Sequence, residues 1–227
     1  MSINRPVVMD PAGLARPAQL GDILVTNDVV PAANANTAVT LTGQLLGLGI
    51  FLSSAASAPT LTFDSAANII AALATQYGFN QNAQSVNGTT IYNSIQPGTT
   101  FRVKIIMSTA YAATIAATAN TGVTVNRGTV AASSSKDFLI TINNGTPVQT
   151  FAPASTNASA ILTGFSQVQL AQLSVGMVVT NSALGLQGAT ITSINLAAGS
   201  VTMSTTANAT ATATSLTFSP VITVDGL

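Results

Sequence analysis

Residues 101–151 read FRVKIIMSTAYAATIAATANTGVTVNRGTVAASSSKDFLITINNGTPVQTF. Short runs rich in Val, Ile, Thr and Phe are separated by Gly, Asn and Ser, the pattern of consecutive short antiparallel strands. Phe101, Val103 and Ile105 alternate with Arg102 and Lys104. Successive side chains of a strand point to opposite faces, so this strand is expected to have one core face and one wet face. Phe138, Ile140 and Ile142 repeat the pattern against Asp137, Leu139 and Thr141, less cleanly because of Leu139. Thr121-Gly122 and Arg127-Gly128 mark tight reversals, at which Gly is expected to supply a positive φ. The stretch predicts an all-β chain with a β-sandwich or jelly-roll-like core. No reactive group is concentrated in it.

Upstream, the only convincing helix is expected over Ser65 to Tyr77. Asp64 is a suitable N-cap. Ile69, Leu73 and Tyr77, flanked by Ala66 and Ile70, form one apolar stripe, and Gly78 supplies the stop. Thr60 to Phe63 is a short strand leading into it. Val39 and Leu41 alternate with Thr40 and Thr42 as a strand. Gly43 to Leu52 is apolar with three glycines, and reads as a buried strand with bulges or a subunit contact. Asn87-Gly88, between Val86 and Ile91, suits a hairpin turn. Residues 1–36 hold five of the twelve charges (Arg5, Asp10, Arg16, Asp22, Asp28) and three prolines in their first twenty positions. They read as an extended arm that lies on a neighbouring subunit, or as a frayed terminus.

Downstream, Ala152 to Ala160 (APASTNASA) reads as a small-residue linker. Phe165 to Leu173 is Gln-rich with apolar positions at Val168, Leu170 and Leu173. Four β runs follow, at Val175–Val179, Ala189–Ile194, Val201–Ser204 and Ser215–Phe218, and suggest a small barrel or sandwich. The Ala/Thr alternation from Thr205 suits a strand with one small-residue face.

Composition restricts function more than any motif. Of 227 residues, 47% are hydrophobic and 5% charged, with six basic residues balanced by six Asp. Ordinary globular proteins are about 25% charged. Glu, His, Cys and Trp are absent. Thiol and imidazole catalysis and the common zinc sites are therefore excluded. Zero net charge gives no basic footprint for nucleic acid. High hydrophobicity and abundant β-branched residues argue against disorder. A low-charge, Thr/Asn/Ala-rich β chain suits a rigid, assembled extracellular or particle-surface protein. Met1 to Leu20 has no apolar core of a signal peptide, and Leu45 to Leu52 is too short to span a bilayer, so no membrane segment is expected.

Motifs for chemistry are missing. There is no Walker loop, dinucleotide fingerprint or zinc spacing, and Gly43, Gly47 and Gly49 match no phosphate cradle. Asn87-Gly-Thr, Asn157-Ala-Ser and Asn208-Ala-Thr have the form of glycosylation triplets, which arise by chance in an Asn/Thr-rich chain. Arg102 and Lys104 share a face that is either solvated, with Asp137 as a local partner, or meets an acidic partner. A glycan-cleaving enzyme needs a carboxylate pair. Only Asp64 and Asp137 lie in the central region. No catalytic, cofactor-binding or metal-ligating residue, no cofactor and no enzyme activity is expected.

Two stretches resemble tailed-bacteriophage virion proteins. Thr60 to Phe151, with TLTFDSAANIIAALA, PGTTFRVKII and TGVTVNRGTVAASSSKDFLITINN, looks like the β-sandwich module of capsid decoration (cement) proteins and head fibres. Leu173 to Phe218, from LSVGMVV to ATATSLTF, is similar to a small module repeated across phage surface proteins, and QLGDILV near the N-terminus resembles a lead-in to such modules. These families are structural, so the resemblance carries over no catalytic residue. It implies a virion component that assembles as a homo-oligomer, commonly a trimer, on capsid or tail. The first expectation is a decoration protein binding the major capsid protein; the alternative is a head or tail fibre binding a host-surface glycan. The expected domains are an arm at 1–36, a β-sandwich at 37–151 with 220–227, and a small β module at 152–219. Relatives of the first module close with a further Val/Thr strand, which Val221 to Val224 matches. The second module is then inserted before that strand. In the competing arrangement the modules follow one another as beads on a string.

Overall fold

The computed structural model describes residues 7–9, 15–17, 39–43, 46, 50–53, 55–77, 83–86, 89–92 and 97–227. In chain order the first strands are β1 (Val7–Met9), β2 (Ala15–Pro17), β3 (Val39–Leu41), β4 (Ile50–Ser53) and β5 (Thr60–Phe63), followed by helix α1 (Ala66–Tyr77). Then come β6 (Ala83–Val86), β7 (Thr89–Tyr92), β8 (Thr100–Met107), β9 (Ala113–Ala117), β10 (Val123–Asn126), β11 (Thr129–Val130) and β12 (Ser135–Asn144). The rest are β13 (Gln149–Phe151), β14 (Ala154–Ser155), β15 (Ile161–Thr163), helix α2 (Gln167–Leu170), β16 (Val178–Asn181), β17 (Ile191–Asn195), β18 (Ser200–Met203), β19 (Leu216–Ser219) and β20 (Val221–Gly226). The fold is mainly β and sandwich-like, with one longer helix.

Two hydrophobic cores share no residue. The first lies between a five-stranded sheet, order β10-β20-β12-β8-β4, and a four-stranded sheet, order β11-β9-β5-β3. Val103, Ile105, Phe138, Ile140, Ile142, Ile222 and Val224 come from one sheet, and Leu41, Leu61, Phe63, Ile115 and Val130 from the other. Ala66, Ile69, Ile70, Leu73 and Ala74 of α1 close it. The alternation expected in β8 and β12 is present: Val103, Ile105, Phe138, Ile140 and Ile142 are buried. On the outer face Arg102 meets Asp137, Asn143 meets Thr223, and Asn126 meets Asp225. The second core lies between sheets β13-β19-β16 and β14-β15-β18-β17. Its four main strands lie close to the four runs read from sequence.

Strand order departs from the expected run of antiparallel neighbours. Within residues 101–151, β8 pairs with β12 and β9 with β11, neither with the next strand in sequence. Among the described residues four pairings are parallel: β3 with β5, β5 with β9, β4 with β8 and β10 with β20. Parallel neighbours require crossover connections, and alternation reports which face a side chain takes, not which strand lies beside it. Residues 221–226 lie in the first sheet, antiparallel to β12 and parallel to β10. The chain thus leaves this sheet after β12, builds the second body and returns.

Several boundaries also differ. Gln149 to Phe151 pairs with β19, and Phe151 packs on the second core, so the second body begins before residue 152. Residues 152–160 are no linker: Ala154 and Ser155 pair with β15, and Ser155 is buried. The Ala/Thr stretch from 205 contributes a single bridge, Ala211 to Ser155, and no strand. Gly43 and Leu46 are helical rather than extended, with Leu46 N–H bonded to Thr42 O at 3.0 Å. In the 1–36 segment β1 pairs antiparallel with β2; the rest of that expected arm, like Gly78, Gly47 and Gly49, lies outside the described residues. Val86 pairs with Thr89, leaving two residues for the hairpin expected at Asn87-Gly88, themselves outside the described set.

The two glycine reversals work differently. Gly122 has φ +76°, as expected, and its carbonyl accepts from Ile222 N–H at 2.9 Å. At the second, the positive φ falls on Arg127, at 54°. Gly128 is required for close approach instead: a Cβ there would stand 2.3 Å from Ile115 O. Because that neighbour is backbone in a paired strand, Gly128→Ala is expected to destabilise the first body by about 1–3 kcal/mol. A urea midpoint that falls at constant slope is the expected result; an unchanged midpoint contradicts the close-packing account.

Candidate functional site

Asp64, Arg102, Asp137 and Lys136 are held in local pairings. Asp64 accepts from Ser65 N–H at 2.7 Å and from Asn68 Nδ2 at 2.9 Å. The hydroxyl that caps α1 belongs to Ser65, which accepts from Asn68 N–H at 3.2 Å, so the N-cap is one residue later than expected. Asp137 pairs with Arg102 at 2.7 Å, the local partnership read from sequence. That hydrogen bond and the Asp137 charge hold the Arg102 guanidinium above its ordinary pKa. A raised folded-state pKa contributes stability below the unfolded value and loses it only as pH rises through the raised one. For an arginine that window is strongly alkaline, so this shift adds no pH dependence near neutrality. Lys136 donates to Arg127 O at 2.6 Å and stands 5.5 Å over the Phe138 ring.

Asp64 lies before the first turn of α1 and Asp137 in the outer face of β12; each is engaged locally, on separate elements. Among the described residues no three His, Cys, Asp or Glu side chains gather as a metal site. Also among them, no helix is long and apolar enough to cross a membrane. Of the three Asn-x-Ser/Thr triplets read from sequence, Asn157 and Asn208 are exposed and Asn87 lies outside the described residues; a fourth, Asn144-Gly-Thr, is buried at its asparagine.

The most distinctive local chemistry lies where the chain passes between the two bodies. Along β12 the inward positions run Phe138, Ile140, Ile142, Asn144. Period 2 thus carries a carboxamide onto an apolar face, where it is 4% exposed. Asn144 Nδ2 donates to Ser174 Oγ at 2.8 Å and to Val175 O at 2.9 Å. Its Oδ1 accepts from Thr146 N–H at 2.9 Å, and Thr146 Oγ1 bonds Ser174 Oγ at 2.5 Å. Every bond ties the end of the first sheet to residues 174–175 of the second body, or braces the turn between them. Buried groups of this kind cost roughly 1–3 kcal/mol when a partner is removed. Sequence reasoning passed over Asn144, although a polar residue continuing the Phe138–Ile140–Ile142 series was a readable signal. It also passed over the box at Ser166: Ser166 Oγ accepts from Gln169 N–H, and Gln169 Oε1 accepts from Ser166 N–H.

Beside this latch runs a groove of about 260 Å³. Ala67, Asn68, Ile70 and Ala71 of α1 form one wall, and residues 145–148 with Pro220 the other. These lining residues include no Asp, Lys or Arg; their polar side chains are the Asn68 carboxamide and the Thr146 hydroxyl. Comparison with protein-family models, with curated proteins and with solved structures finds no match for this chain.

Proposed function

We propose that this chain is a structural component of a tailed-bacteriophage virion, which decorates and cements the capsid by binding the major capsid protein. The observation that carries the reading is the sequence resemblance of Thr60–Phe151 and Leu173–Phe218 to decoration and surface modules. The engagement of Arg102, Asp64, Asp137 and Lys136 in local pairings supports it, since a cement protein works through buried area and needs no reactive group. The fibre alternative requires a sugar-binding face. In the second body Phe151 and Phe165 meet edge to face at 6.1 Å and Phe165 and Phe218 at 6.3 Å, so these rings serve its core rather than a glycan.

The protein acts as a homotrimer on the capsid surface, with the 1–36 segment making the main contact to shell or neighbour. Purified protein is expected to bind capsids that lack it, to saturate at a fixed copy number, and to raise their resistance to heat rupture. Removal of residues 1–36 is expected to abolish binding while the β bodies remain folded. Mass photometry of a stable monomer, with labelling at the tail and none on the capsid, would overturn the proposal.

A further inference from the structure

Asn144-Gly145-Thr146 is, as a peptide, primed for succinimide chemistry. A glycine after asparagine leaves the following backbone nitrogen unhindered, so that it attacks the side-chain carbonyl carbon. The C–N bond to Gly145 forms, the Cγ–Nδ2 bond breaks, and ammonia leaves with the proton from Gly145 N. Water then opens the ring to aspartate or isoaspartate. The chain contains the same tripeptide at Asn87-Gly88-Thr89. The two are identical at the asparagine and the two residues after it, which set the unhindered nitrogen, so a large difference between them in the native protein must come from the fold.

At Asn144 the fold pins the side-chain amide at both ends and shields it from solvent. The leaving nitrogen is held by Ser174 Oγ and Val175 O, at 2.8 and 2.9 Å. The carbonyl oxygen is held by Thr146 N–H at 2.9 Å. The residue is 4% exposed, which keeps water from the ring-opening step. Two of these three bonds cross between the bodies and break when the bodies separate.

We propose that Asn144-Gly145 is a latent deamidation site gated by the junction between the two bodies. Docked, the latch keeps the amide intact. Opening admits water and frees the nitrogen. Conversion then replaces a donor to Val175 O with a carboxylate oxygen that faces this carbonyl and repels it, so the latch does not re-form. The device is a one-way record of junction opening, and it does not depend on the virion reading.

The test follows both Asn-Gly sites of the full chain by peptide mapping and mass spectrometry, in mildly alkaline buffer with and without urea. In urea Asn144 and Asn87 are expected to convert at similar rates. In the native protein Asn144 is expected to fall at least about tenfold below its own rate in urea, because only locally open molecules react. Ser174→Ala, which removes one acceptor, is expected to raise the native rate at Asn144. Asn144→Asp is expected to speed hydrogen exchange at residues 145–148 and 174–176 while the β12–β20 ladder stays protected. Equal native and urea rates at Asn144, an unchanged rate in Ser174→Ala, or parental exchange in Asn144→Asp would each overturn the proposal. If Asn144→Asp does not fold, the Ser174→Ala rate decides.

Discussion

Ending the chain at Pro220 is expected to unfold the first body and leave the second nearly intact. β20 is an interior strand, with β12 on one side and β10 on the other. Its removal opens two ladders at once and separates β10 from its sheet. Ile222 and Val224 are fully buried in the first core, and neither belongs to the second. Replacing one buried Ile by Ala costs about 2–5 kcal/mol, against a domain stability of about 5–15 kcal/mol. Loss of the whole strand therefore exceeds what the first body can sustain. The second body closes with β19, which pairs only with β13 and β16. Hydrogen exchange of the truncated chain is expected to show lost protection in β8 and β12 and retained protection in β15 and β18. Parental protection of β8 and β12 would contradict this role for the last strand.

The separateness of the two cores leads to the second large effect. Phe138 and Phe218 are each 0% exposed, one in each core. Either Phe→Ala change removes a ring that close-packed neighbours cannot replace, at a cost of about 3–5 kcal/mol. Phe138→Ala is expected to lower protection in β8, β12 and β20, and Phe218→Ala in β13, β16 and β19. The bodies meet at the chain crossings, at the Asn144 latch and where Asn120 lies against Gly188, with no core residue in common, so each variant is expected to disturb the other body weakly. Equal loss of protection in both bodies from either variant would show one cooperative unit. The distinction has a consequence: the second body can vary, or be damaged, while the first keeps its sheet.

What residues 101–151 determined by themselves was local. Alternation at Val103 and Ile105, and at Phe138, Ile140 and Ile142, set which side chains face inward, because a strand's side-chain direction depends only on its own backbone. The helix over 66–77 was legible for the same reason: its stripe at Ala66, Ile69, Ile70 and Leu73 and its polar start at Asp64-Ser65 are properties of one segment. The absence of His and Cys removed imidazole and thiol chemistry from this sequence without any fold. The tertiary structure decided which segments meet. Four parallel pairings, the place of residues 221–226 between β10 and β12, and the change of Gln149–Phe151 to the second body depend on which surfaces bury each other, and periodicity carries no record of partners. The stretch from 205 shows the converse: alternation alone made no strand, and only Ala211 forms a β-bridge, while its neighbours bond singly to loops and strands of the second body. Asn144 lies between these cases. Its inward position was readable from period 2, but its acceptors are Ser174 and Val175, some thirty residues on in the chain. A buried amide becomes a latch only when folding brings its acceptors to it.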